Sequence, residues 1–161
     1  MRKYELTDQT VTTDDGTTLH RIRALRDFGL VKAGDFGGYI QSETNLSHEG
    51  DCWVYGNARV SGDALVYYNA QVFDNAVVYG NARVFGKAQV WDNAEVYDDA
   101  RVRGDARVRG DAQVYGNAWV YDNALVYGSA QVYGDSRVRD NTWVFGNAQL
   151  DSVPQQDVWY T

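Results

Sequence analysis

Residues 54–59 read V-Y-G-N-A-R, residues 60–65 V-S-G-D-A-L and residues 66–71 V-Y-Y-N-A-Q, and the same six-residue unit runs without insertion to V-F-G-N-A-Q at 144–149. Valine recurs at every sixth position from Val54 to Val144, and four residues after each stands alanine, replaced only by Ser136 and Thr142. The two residues just before each alanine position are drawn almost wholly from Gly, Asn and Asp. A fixed short period means that each unit buries its apolar face against neighbouring copies, so the fold is a solenoid whose core is built by stacking.

The chemistry of the unit gives its shape. Valine is β-branched and suits a strand, whereas Gly-Asn, Asp-Asn and Gly-Asp pairs tolerate the positive φ that turns a chain sharply. Each hexad is a short strand plus a corner, with alanine small enough to point inwards where two walls meet. Three walls close a triangle, giving eighteen residues per coil, a rise of about 4.8 Å per coil and about five coils.

This pattern resembles the hexapeptide-repeat family of left-handed parallel β-helices, which includes many acyltransferases. The likeness covers roughly two thirds of the chain. The hand comes from the resemblance alone, since parallel crossovers generally favour the right hand. The expected fold class is therefore all-β, a left-handed triangular β-helix with a small N-terminal β-hairpin cap. The passage from Gly37-Gly38-Tyr39-Ile40 to Gly50-Asp51-Cys52-Trp53-Val54 further resembles bacterial and bacteriophage solenoid proteins that join such a segment to a hexad array; no activity comes with that likeness.

Residues 1–47 lack the hexad and read as the cap, with a hairpin from Thr10 to Leu25 around Asp14-Asp15-Gly16. Residues 48–150 form the rod, with His48 expected in a valine slot and Cys52 in an alanine slot. Residues 151–161 leave the register; Pro154 should end the sheet, and Trp159 and Tyr160 should fold back over the open end or reach a neighbouring subunit. Met1 to Glu5 contains no apolar signal core and no stretch approaches the ~18 apolar residues of a membrane span, so the expectation is a soluble, cytoplasmic protein that engages no membrane. A single cysteine fits a reducing compartment.

The net charge of −7 is spread evenly, with most rod acids at corners and most bases on walls. Residues flanking each valine point outwards, and their recurrence every eighteen positions assigns them to walls. Wall one carries Trp53, Tyr55, Phe73, Trp91, Tyr127, Trp143 and Phe145, an apolar surface larger than soluble monomers usually leave bare, and these are candidate interface residues of a homo-oligomer, dimer or trimer, or of a protein partner. Stacking among the rings and against the cap is the plainer account. Wall two carries Tyr79, Tyr97, Tyr115 and Tyr133 in one vertical column. Wall three carries Arg83, Arg101, Arg103, Arg137 and Arg139 among Trp119, Tyr121 and Phe85; guanidinium forks suit carboxylate or phosphate, which makes this wall the candidate site for an anionic partner, nucleotide or nucleic acid. Pairing of these arginines with corner aspartates and with rings explains the same residues structurally.

Catalytic chemistry is sparse. The hexapeptide acyltransferases that the coils resemble use a histidine base and a loop that leaves the repeat; here the repeat is unbroken and only His20 and His48 occur. Two histidines fall short of the three that hold zinc in the γ-class carbonic anhydrases, and corner aspartates such as Asp74 and Asp92 are explained by turn geometry without calcium. The expectation is no catalytic residue, no metal and no cofactor. The leading reading is a non-enzymatic scaffold that self-associates and presents an aromatic or Arg-aromatic wall to a macromolecule, with corner aspartate rows that could imitate nucleic acid as a phage inhibitor would. The rival is an acyltransferase working at a subunit interface.

Overall fold

In a computed structural model, residues 2–152 and the backbone of 159–160 are described. Pro154 and the side chains of Trp159 and Tyr160 lie outside the described residues. The chain begins with an antiparallel hairpin, β1 (Tyr4–Thr12) and β2 (Thr18–Ala24), followed by β3 (Phe36–Ile40). From Trp53 to Leu150 every strand is two residues long, an outward residue followed by an inward valine or, in the last of them, by Leu150.

These short strands stack in parallel into three sheets, one per wall. Val54 pairs with Val72, Val72 with Val90 and Val90 with Val108, an offset of eighteen residues that the other two walls repeat. Backbone N–H groups donate to carbonyls one coil further on, as Tyr97 does to Val114 at 3.0 Å. The core is the expected column: the wall valines from Val54 to Val144 and the alanines from Ala58 to Ala130 are fully buried. Ser136 and Thr142 occupy alanine slots and are buried too; the Ser136 hydroxyl donates to Tyr133 O and Leu150 O.

Corners have one rule. The second residue after each valine always has φ between 55° and 69°, whether it is Gly, Asp or, once, Tyr68. At four of the aspartate corners the carboxylate accepts the N–H of the corner one coil up: Asp74 from Asp92 at 3.4 Å, Asp92 from Gly110 at 3.1 Å, Asp98 from Gly116 at 3.1 Å and Asp122 from Asp140 at 3.2 Å. A backbone donor that the corner leaves outside the strand ladder is thereby satisfied.

The N-terminal end departs from the expected register. The sequence places His48 in an inward valine slot, but Leu46 takes it, bridging to Val66. Ile40 pairs with Val60 and Leu46 with Val66, offsets of twenty residues rather than eighteen, so this first coil carries two extra residues before Trp53. It also adds a turn below the hexads, so the rod has about six turns where the hexads alone gave about five. Gly37 and Gly38 lie flat on the next coil: a Cβ would meet Val54 O at 2.5 Å from the first and Ala58 O at 2.6 Å from the second. Through β3 the hairpin extends wall two into a nine-stranded sheet. At the other end Trp159–Tyr160 adds a parallel strand to wall one beside Trp143–Val144.

Candidate binding walls

Wall three shows what the alternation of arginine and aromatic residues builds. Register sets Arg101 directly beside Arg83 and Trp119, and Trp119 beside Arg137. The Trp119 ring lies between guanidiniums, with Arg137 at 4.5 Å and Arg101 at 5.3 Å from its centroid. Arg103 sits 4.4 Å from the Tyr121 centroid and 5.5 Å from that of Trp119. Lower on the same column Tyr67 and Phe85 stack at 4.7 Å. Each cation over a ring contributes ~0.5–1 kcal/mol at a partly exposed site.

The expected pairing of these arginines with corner aspartates is largely not what the structure shows. Among the described residues Arg83, Arg101 and Arg103 make no ion pair; Arg139 Nε approaches Asp140 at 3.9 Å, and Arg137 donates Nη1 to the carbonyls of Asn117, Asp135 and Ser136, each at 3.1 Å. Arg137 is thus tied to its own corner, whereas Arg83, Arg101 and Arg103 keep their forks open.

On wall one the rings form a vertical stack rather than a bare greasy strip. Phe73 and Trp91 stack at 5.3 Å, Arg109 lies 4.6 Å from the Tyr127 centroid, and Tyr127 stacks on Phe145 at 5.3 Å and meets Trp143 edge-on at 6.2 Å. Tyr55 meets Phe73 edge-on at 6.3 Å. Trp53 departs from the expectation of an interface residue. It is 1% exposed, enclosed by the edges of Phe28 at 5.1 Å and Tyr4 at 6.1 Å, because the cap folds over this corner of the wall.

Both histidines make contacts within the cap, at separate places. His48 stacks on Tyr4 at 4.1 Å, accepts the Lys3 backbone N–H at Nδ1 and meets Glu43 through Nε2 at 2.9 Å. His20 Nδ1 lies 3.2 Å from Thr7 O. Lys3 is fully buried; its amine donates to Cys52 O at 2.7 Å and contacts Cys52 Sγ at 3.3 Å, and burial pulls its pKa down. Burial likewise pushes the Cys52 thiol up. The buried lysine escaped the sequence reading, since nothing in Arg2-Lys3-Tyr4 marks one cation as interior. Among the described residues no group of three or more His, Cys, Asp or Glu is placed to hold a metal ion, and no helix is long and apolar enough to cross a membrane.

With this geometry in view, comparison with known proteins is informative. The YdcK beta solenoid repeat matches residues 54–68, 70–84, 78–92, 112–128 and 118–134. All of these matched segments lie within the rod. Over 95 residues, 47% of this chain and 29% of the relative, the sequence is 35% identical to the uncharacterized acetyltransferase YdcK of Escherichia coli (strain K12). The chain therefore spans less than a third of that relative's length. Both similarities are consistent with the hexapeptide-repeat solenoid family that the valine and alanine register resembles.

Proposed function

We propose that this chain is a β-solenoid scaffold that binds an anionic macromolecule, an acidic protein segment in the first instance, through wall three. The carrying observation is that Arg101 and Arg103 flank Trp119 with no carboxylate partner among the described residues. A guanidinium stacked on a ring loses little side-chain freedom when it takes up a carboxylate, so the cost of binding is partly met in the free protein. The acidic character of the chain as a whole, net charge −7, repels such a partner elsewhere and directs it to this wall. Arg101→Glu combined with Arg103→Glu should abolish retention on immobilised polyglutamate; unchanged retention would remove wall three from the reading. Preference for an oligonucleotide over polyglutamate would overturn the choice of partner.

Self-association belongs to the same proposal, through Phe73, Trp91 and the rings above them on wall one. Light scattering on Trp91→Glu should show a smaller assembly than the parent, and a strictly monomeric parent sinks this part.

A second reading rests on the name of the YdcK relative: a solenoid acyltransferase with an acyl-CoA substrate. His48 is held at both ring nitrogens within the cap, which suits a structural role better than a base. A thermal shift with acetyl-CoA that His48→Gln or His20→Gln removes would revive it.

A further inference from the structure

The tyrosine column of wall two stops one coil early. Tyr79, Tyr97, Tyr115 and Tyr133 stack with centroids 4.9, 4.9 and 5.2 Å apart and ring planes within 8° of parallel. One coil towards the N-terminus the register calls for another ring. There Val60 pairs with Val78, and Ser61, whose N–H donates to Val78 O at 3.0 Å, stands beneath Tyr79. The free side of Tyr79 therefore faces open space.

That space is enclosed from above. The turn of the β1–β2 hairpin reaches over it, forming a pocket of about 400 Å³ lined on the wall side by Arg59, Ser61, Val77 and Tyr79 and on the hairpin side by Asp14 and Asp15. Five tyrosines would have fitted the coil spacing; four are present, and the position of the missing one is roofed by carboxylates. The lining sets the charge of the occupant. Two carboxylates face one guanidinium, leaving one net negative charge. Asp15 Oδ1 already accepts from the Thr13 hydroxyl and the Thr17 N–H, and both Asp14 and Asp15 are exposed. Among the described residues Arg59 forms no ion pair. Val77 supplies an apolar edge.

We propose that the gap at Ser61 is a binding site for a planar aromatic amine, whose ring completes the tyrosine column on Tyr79 and whose ammonium faces Asp14 and Asp15. Parallel-offset stacking at the spacing of the existing rungs gives the ring one aromatic face and the Val77 methyls. The ammonium gains charge-assisted contact with the turn. The site is independent of wall three and stands whether or not that wall binds a partner.

The test is titration of the full chain with tyramine, followed by calorimetry or by chemical-shift changes, with 3-(4-hydroxyphenyl)propionate as the opposite-charge arm. Saturable tyramine binding is expected at about millimolar concentrations or below, with the propionate at least about tenfold weaker. Ser61→Tyr fills the gap with the chain's own ring. It should weaken tyramine binding at least about tenfold while raising the thermal midpoint, because the column gains a rung. Ser61→Leu blocks the same space without stacking and serves if the tyrosine variant misfolds. Asp14→Asn with Asp15→Asn should erase the preference for the amine. Absence of saturable tyramine binding, or binding unchanged in both Ser61 variants, overturns the proposal.

Discussion

Tyr68 holds a place that glycine or aspartate holds at the other corners. Its φ is 57° and its side chain is 62% exposed, so the left-handed conformation is paid for without a buried contact in return. Asparagine tolerates that conformation, and Tyr68→Asn should stabilise the rod by up to ~1 kcal/mol, read as a higher urea midpoint at unchanged slope. Glu43 works at the same scale in the cap. The Arg2 guanidinium, and after it the His48 ring, hold its carboxyl below the ordinary value of 4.5. A carboxyl whose folded pKa is depressed contributes stability that is complete above its unfolded value and is lost as pH falls through the folded one. The thermal midpoint should therefore drop as the pH falls below about 4.5, and Glu43→Gln should flatten part of that slope.

At the scale of the strand and its ladder, neighbours matter more than composition. Tyr97 stacks on rings both above and below, whereas Tyr133 stacks on Tyr115 alone. At about 0.5–1.5 kcal/mol per aromatic pair, Tyr97→Leu should cost roughly twice what Tyr133→Leu costs in a denaturation series. Burial first, then the neighbouring Tyr79 and Tyr115, pushes the Tyr97 phenol up to about 12. The walls themselves were legible because valine and alanine each recur at one spacing, and a two-residue strand leaves no freedom of register. Trp53 and His48 were not legible. Trp53 points outwards as its position demands, but its burial depends on Phe28 and Tyr4, which follow no period. His48 sits eighteen residues before Val66, yet two extra residues in the first coil hand that slot to Leu46. The arginines of wall three were found by register, while their choice of rings over aspartates depended on side-chain directions that spacing does not encode.

For the whole molecule, stability is a sum over coils and the contacts between them. From Trp53 to Leu150 each coil meets the next at the same offset of eighteen residues. Excision of residues 89–106 should leave a folded protein, because Val108 then meets Val72 as Val90 does now. Circular dichroism should keep its β signature and small-angle scattering should show a rod shorter by about 4.8 Å. Excision of only residues 89–97, half a coil, should instead abolish cooperative unfolding, since a wall would be asked to continue into a corner.

The constant offset also bears on inheritance. Gain or loss of one whole coil by slippage in the gene changes how far apart the two ends stand without altering the cross-section, so lineages can lengthen or shorten this protein in discrete steps while the hairpin keeps the same seat on its own irregular first turn.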